Sequence, residues 1–292
     1  MENQRGVRKT LRYWVMAAGE WAPDGFCNTV FNETMLEDLR RSLIFKSMST
    51  PVSFLDPGFG GDSCVQKIGM LGDLDDGRMG INLSASYELQ LDQESGEDYE
   101  HQIARQTVEN CKKHGVEPEN FGLDSTAIGR GVASLLYTNW SSRILKLEFG
   151  GRPSEKAASA DDRRPADEVY DRKVTELWMS AREFALGKQL GNLDDKVIIQ
   201  MCGREYDMVG KKYRLETKED CRARIRRSPD DADALCGLVE LARQRHGAVG
   251  GGMPGGSAGE KAGSREWEEQ VAAAAVVYER MNGPAEEVLE PW

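Results

Sequence analysis

Ser53-Phe54-Leu55-Asp56-Pro57-Gly58 and Phe121-Gly122-Leu123-Asp124-Ser125-Thr126 follow one plan. In each, a short apolar run ends on an aspartate, and residues that turn the chain follow at once. Both runs, residues 52–56 and 120–124, read as buried strands. Between them, residues 64–71 read as a second strand, and Ile81, Leu83, Ala85, Tyr87, Leu89 and Leu91 alternate as a half-buried third. The turn-rich stretch 72–77 joins those two as an antiparallel pair. Tyr99, Ile103, Thr107 and Cys111 recur at helical spacing, and His114-Gly115 closes that helix. A right-handed crossover through it returns the 120–124 strand beside the 52–56 strand, parallel to it. Parallel neighbours bring their C-terminal ends together. Asp56 and Asp124 are therefore expected at one sheet edge, where function in open α/β sheets gathers.

The same reading extends to both sides. A helix is predicted over 129–140, a strand over 144–149, and a polar, mobile-loop candidate over 150–166. A long helix follows over 167–186, with Tyr170, Val174, Leu177, Trp178 and Ala181 on one stripe. Residues 197–201 and 213–216 read as a small hairpin turning near Gly210. The last core helix opens at Ser228, with Ser228 as cap and Pro229 in the first position. The expected architecture is α/β: three antiparallel strands continued by parallel β-α units, flanked by helices, with the hairpin appended. Residues 1–50 form a lead-in with an amphipathic helix at 33–43, and 51–247 the main domain; 248–265 is a Gly-rich linker and 266–292 an acidic tail.

Composition narrows the function. The 292 residues carry 39% hydrophobic and 30% charged side chains, as a soluble globular chain does. No apolar run approaches the roughly 18 residues that a membrane span needs. The first residues lack a signal peptide's apolar core. Six scattered cysteines form no CxxC pair, which suits a reduced, cytosolic setting. Cys111 and His114 lack a second ligand pair and read as a helix surface rather than a zinc site. No GxSxG occurs, and three scattered histidines offer no obvious base for a serine or cysteine hydrolase. The net charge of −11 argues against a simple nucleic-acid coat protein. Basic residues nevertheless concentrate at Lys211, Lys212, Arg214 and Lys218, then at Arg222, Arg224, Arg226 and Arg227. A solvated charged face and a phosphate-backbone track are both open readings.

The second basic group directly precedes Ser228-Pro229-Asp230-Asp231-Ala232-Asp233-Ala234-Leu235, where Asp230 and Asp233 share one helix face. If this helix packs across the edge that carries Asp56 and Asp124, carboxylates converge there. Such a cluster suits hard divalent cations in phosphoryl chemistry. Asp62 is a further candidate from the loop after Asp56. Each aspartate alone also has a structural reading: a turn at Asp56, a helix cap at Asp124, a dipole partner at Asp230 and Asp231. Asp233, past the first turn and beside Ala and Leu, fits a dipole role least.

These segments resemble the C-terminal nuclease domain of the large terminase subunit of tailed bacteriophages, an RNase H-like, RuvC-like fold. The matching pieces are Leu55-Asp56-Pro57-Gly58 with Gly61-Asp62, Gly122-Leu123-Asp124-Ser125-Thr126-Ala127-Ile128-Gly129, and the Ser228 to Leu235 segment. Asp171-Arg172-Lys173-Val174-Thr175-Glu176-Leu177-Trp178 and Glu216-Thr217-Lys218 also fit, so the likeness spans about 15–247. It implies metal-dependent, sequence-tolerant cleavage of double-stranded DNA during viral genome packaging, in the cytoplasm of an infected bacterial host. Two Mg²⁺ or Mn²⁺ ions would be held by Asp56, Asp124 and Asp233, with Asp230 and Asp62 nearby and Asp56 bridging. Lys218, Arg222, Arg224, Arg226, Lys211 and Lys212 would contact DNA. An ATPase motor, a small terminase or a portal protein are the implied partners. Gly255-Gly256-Ser257-Ala258-Gly259-Glu260-Lys261 only mimics a Walker A loop, so the motor is expected elsewhere. A RuvC-like junction resolvase and a non-catalytic DNA- or partner-binding module are the alternatives.

Overall fold

The computed structural model describes residues 29–58 and 62–251. Its centre is β1 (Thr50–Asp56), whose last five residues are all buried. β2 (Val65–Asp73) and β3 (Met79–Glu88) pair beside it in antiparallel fashion. On its other side lies β4 (Phe121–Asp124), parallel, with Phe54 opposite Gly122 and Leu55 opposite Leu123. β5 (Leu145–Leu147) extends the parallel side, and β6 (Leu190–Gly191) pairs in parallel with β3. The six strands run in the order β5-β4-β1-β2-β3-β6, the mixed sheet expected from the sequence.

Alternation along β1 divides the apolar residues between two faces. Leu55, Ile68 and Leu123 pack against α2 (Tyr99–Lys113) and α3 (Gly129–Asn139) through Ile103, Cys111, Val132 and Leu136. Val52, Phe54, Leu71 and Ile81 face α5 (Lys173–Leu186) and α8 (Asp230–His246) through Trp178, Leu235 and Leu238. α8 can lie this close to β1 because Gly237 has no side chain. A Cβ there would stand 2.2 Å from a ring carbon of Phe54. Gly237→Ala should therefore destabilise the chain by about 1–3 kcal/mol through overpacking, although alanine favours helices. Urea unfolding measures this directly.

Several sequence expectations change. Residues 195–201 form α6 (Asp195–Met201), not a strand. Asp194 caps it by accepting from Val197 N at 2.8 Å, and Val197, Ile198 and Met201 then share a buried face. The true partner of β8 (Lys212–Leu215) is β7 (Tyr206–Val209), in a separate hairpin that turns at Gly210 as expected. The 33–43 helix stops early: α1 (Glu33–Glu37) passes into a 3-10 turn (Asp38–Arg40). Part of the lead-in belongs to the core, since Val30, Phe31, Leu36 and Leu39 are buried in it. The long helix is broken. α4 (Ala166–Val169) ends at Tyr170, which turns extended and bridges Tyr213 before α5 begins.

The 150–166 stretch is tied down. Ala158 N donates to Arg164 O, Ala166 N to Lys156 O, and the Ser154 hydroxyl and amide both donate to Glu176. α8 starts at Asp230 with Pro229 in the cap position, and Ser228 donates its hydroxyl to Asp230 instead of capping. Cys111 is buried and accepts from Gln66, while His114 bonds Tyr87, so the two are held separately rather than forming a helix surface. Residues 248–251, the start of the expected linker, are held by Gly250 O accepting from Ala160 N and by Gly251 N donating to Gln189. The rest of the linker, the acidic tail and residues 1–28 lie outside the described residues. Among the described residues no helix is long and apolar enough to cross a membrane.

Candidate metal centre

β1 and β4 end side by side. One residue past the Leu55–Leu123 pair, Asp56 and Asp124 are the last residues of their strands. Asp124 turns its Oδ1 into its own loop, accepting from Thr126 N at 3.0 Å, the Thr126 hydroxyl at 2.6 Å and Phe149 N at 3.4 Å. α3 then starts so close overhead that a Cβ on Gly129 would lie 1.9 Å from the Asp124 carbonyl oxygen. This accounts for the glycine that ends the 122–129 segment.

α8 crosses β1, β2 and β4 and carries Asp230 and Asp233 to the same edge. Both are 3% exposed, and Asp56 is 6% exposed. Asp230 spends both oxygens locally: Oδ2 accepts from Ser63 N at 2.9 Å, and Oδ1 from Ser228 at 2.6 Å and Lys218 at 2.7 Å. Asp233 Oδ1 accepts from the Trp178 indole and from Arg204, and its Oδ2 lies 3.4 Å from Lys218 Nζ. Asp56 Oδ2 is buried with no hydrogen-bond partner; the Lys218 ammonium, 3.6 Å away, faces it.

The electrostatics follow from this crowding. Burial pushes the Asp56 pKa well above the usual carboxylate range; Lys218 opposes the rise, and Asp233, Asp124 and Asp230 add to it. Burial also raises Asp124, partly offset by its bonds to Thr126 and Phe149. For Lys218, burial alone would lower the pKa, but Asp56, Asp233 and Asp230 together raise it. Lys218, at the start of α7 (Lys218–Ile225), is thus the resident cation of a carboxylate cluster. In these side-chain positions no group of three His, Cys, Asp or Glu among the described residues encloses an ion site.

The structure brings together Asp56, Asp124, Asp230, Asp233 and Lys218. It does not bring in Asp62, which pairs with Arg222. Among the basic candidates, Arg224 pairs with Glu216 and Glu205, Arg214 with Asp171, and Lys212 donates to Asp167 O. Lys211, Arg226 and Arg227 are exposed and have no side-chain partner among the described residues. Arg226 ends α7 in a left-handed conformation, φ 56°.

Three site neighbours escaped the sequence reading. Arg204 sits in a stretch without motif or periodicity, so nothing marked it. Trp178 was placed inward, but its indole partner was not foreseeable. Asp231 read as a dipole partner; it is buried instead against the fully buried Lys67 at 2.7 Å and Lys196 at 2.9 Å. Burial would raise the Asp231 pKa, yet Lys67 and Lys196 outweigh it and hold it low.

Comparison with solved structures identifies the architecture. The chain is similar to a mutant gp2c of the large terminase subunit from bacteriophage Sf6 with calcium, with TM-score 0.55 and 15% identity over 72% of this chain and 98% of that one. The nuclease domain of the large terminase subunit gp2 of bacterial virus Sf6 gives TM-score 0.52, 15% identity and the same coverages. A mutant of that domain with manganese and β-thujaplicinol gives TM-score 0.51 at 15% identity, again over 72% and 98%. The fold is therefore that of these nuclease domains, a six-stranded mixed sheet flanked by helices with a separate hairpin, as expected from the sequence. No protein-family model and no curated protein sequence matches the chain.

Proposed function

We propose that this chain is a metal-dependent endonuclease that cuts double-stranded DNA with little sequence preference, in the manner of a terminase nuclease domain in viral genome packaging. The observation that carries the reading is the convergence of Asp56, Asp124 and Asp233 from three separate elements, with a buried, unbonded Asp56 Oδ2 among them. A buried carboxylate oxygen without a donor is costly unless a cation satisfies it. The donor set, all carboxylate oxygen, suits Mg²⁺ or Mn²⁺. The fold, shared with structures solved with calcium and manganese, agrees with this.

Asp56, Asp124 and Asp233 would hold the ions. When bound, they supply Lewis-acid stabilisation of the scissile phosphate and a reactive water. The chain's own residues do the rest. The sheet edge fixes Asp56 and Asp124 on rigid strands. Asp230, with both oxygens engaged, latches Ser63 and Lys218 to the start of α8 and acts as an anchor rather than a ligand. Lys218 neutralises the cluster and stands where a phosphate would approach. Such contacts position DNA and carry little sequence information. In this reading the chain works in the cytoplasm of an infected bacterium, alongside an ATPase motor, small terminase or portal protein.

Supercoiled plasmid should be nicked and linearised into heterogeneous ends with Mn²⁺ or Mg²⁺, and left intact in EDTA. Full activity in EDTA, or a few discrete fragments from a mixed sequence, would refute the proposal. DNA affinity should fall steeply with salt despite the acidic total charge. Because Lys211, Arg226 and Arg227 are the basic candidates without a side-chain partner among the described residues, replacing all three with alanine should lower the log–log salt slope by up to about 3, alike for all sequences. Arg222→Ala and Arg224→Ala should change it less, since both are already paired. Binding of a short duplex in Ca²⁺ measures these slopes.

A further inference from the structure

Asp233 meets the cluster through one oxygen only. Its Oδ1 accepts from the Trp178 indole N–H at 2.7 Å and from Arg204 Nη1 at 2.9 Å. Its Oδ2 alone is turned toward Lys218. The two donors are fixed in their turn. Trp178 is fully buried on α5 and packs on Phe31 with ring centroids 6.1 Å apart. The Arg204 guanidinium lies 5.0 Å over the Trp178 ring, and its Nη2 donates to Glu216 O at 3.2 Å. Arg204 comes from the loop before β7, so the aspartate on α8 is gripped by two independent elements. Arg204 Nε stays buried without a partner, which indicates that this guanidinium is oriented for Asp233 at some local cost.

We infer that Trp178 and Arg204 are positioning residues that confine Asp233 to one-oxygen ligation and so bias the site toward small, geometrically strict divalent cations over larger ones; this rests on the metal-centre reading above. A carboxylate with both oxygens free can swing into a bidentate grip, which suits Ca²⁺, with its six to eight oxygens and longer bonds. A carboxylate with one oxygen held by two donors presents only its other oxygen to an ion, which suits octahedral Mg²⁺ or Mn²⁺. Outer hydrogen bonds that orient a ligand are known to tune metal affinity. Asp124 is restrained in the same way, since its Oδ1 is spent on local donors.

The test measures binding without DNA or turnover. The rise in Tm is titrated with Mn²⁺ and with Ca²⁺ in the full chain, in Trp178→Phe and in Arg204→Met. In both variants the Mn²⁺ midpoint should weaken roughly 10-fold, while the Ca²⁺ midpoint holds or tightens. A Mn²⁺/Ca²⁺ ratio unchanged from the native chain, in variants with lowered Tm, would show that the two donors serve packing only and would overturn the inference. A wild-type measurement guards against a variant that does not fold. In ¹H–¹⁵N spectra the buried, slowly exchanging Trp178 indole resonance should move on titration with Mg²⁺. If Mg²⁺ raises Tm but no tryptophan indole resonance moves, the inference is overturned while the metal centre stands. If no cation raises the native Tm, or the rise persists in full in Asp233→Asn, the metal-centre reading fails at Asp233 and takes this inference with it.

Discussion

Asp56→Asn should abolish DNA cleavage, by about 10³-fold or more given the several kcal/mol that bound metal contributes to such reactions, and should at the same time raise the Tm of the cation-free protein. The two effects have one cause. Asp56 is buried among Asp124, Asp230 and Asp233, with Lys218 as the shared counter-charge. Burial and like charge raise its pKa in the folded state. The native chain therefore keeps protons that the unfolded chain has already released. Stability is greatest below the unfolded carboxylate value and is lost as pH rises through the folded one. Asparagine keeps the volume and removes the charge, so this loss should flatten. Asp124, raised chiefly by burial, contributes in the same direction. Asp124→Asn and Asp233→Asn should likewise abolish cleavage, while Asp62→Asn, on the Arg222 pair, should do less. Thermal melts between acid and neutral pH, in EDTA, check the stability half. An Asp56→Asn variant that melts lower across that range would contradict it.

Asp231→Leu should destabilise the chain by about 3–5 kcal/mol, because it strands an uncompensated ammonium in the interior. Lys67 is fully buried, and among the described residues it has, besides Asp231, only the Ser86 hydroxyl at 2.7 Å and Asp194 at 3.9 Å. The double variant Lys67→Met with Asp231→Leu should recover most of that loss, since replacing a buried pair with apolar side chains is often neutral. Urea unfolding of the single and double variants gives both numbers. The pair joins β2 to the first turn of α8, where Gln200 also donates to Asp231 and accepts from Ala232 N. Its loss therefore falls on the element that carries Asp230 and Asp233.

The legible part of this molecule was the part fixed by strand alternation and chain punctuation. Two apolar runs ending on Asp56 and Asp124, with a helix between them, were enough to order β1 and β4 and to place both carboxylates at one edge. Asp233 followed because Ala232, Ala234 and Leu235 mark an inward helix face. The 197–201 segment misled because five residues of Val, Ile, Gln and Met are compatible with either period; the decision lay with Asp194, which caps a helix. Lys218 was legible as a charge but not as a position. A basic residue near other basic residues reads as surface, and only the folded chain, which sets its ammonium beside Asp56, Asp230 and Asp233, turns it into the counter-ion of three aspartates. Arg204 and Trp178 were invisible as partners of Asp233 because nothing in one-dimensional spacing links residues on three separate elements. Paired arginines show the converse. Arg222 and Arg224 read equally as a solvated face or a phosphate track, and only the structure shows their pairing with Asp62 and Glu216.

The central claim is that the carboxylates at the β1–β4 edge form a divalent-metal centre. Crystals of the chain soaked in Mn²⁺ and measured for anomalous scattering test it most directly. The expected result is manganese density bonded to Asp56 Oδ2, with Asp124 and Asp233 completing the coordination and the Lys218 ammonium displaced from Asp56. Anomalous density confined to other acidic surfaces, with Lys218 still seated among Asp56, Asp230 and Asp233, would contradict the account.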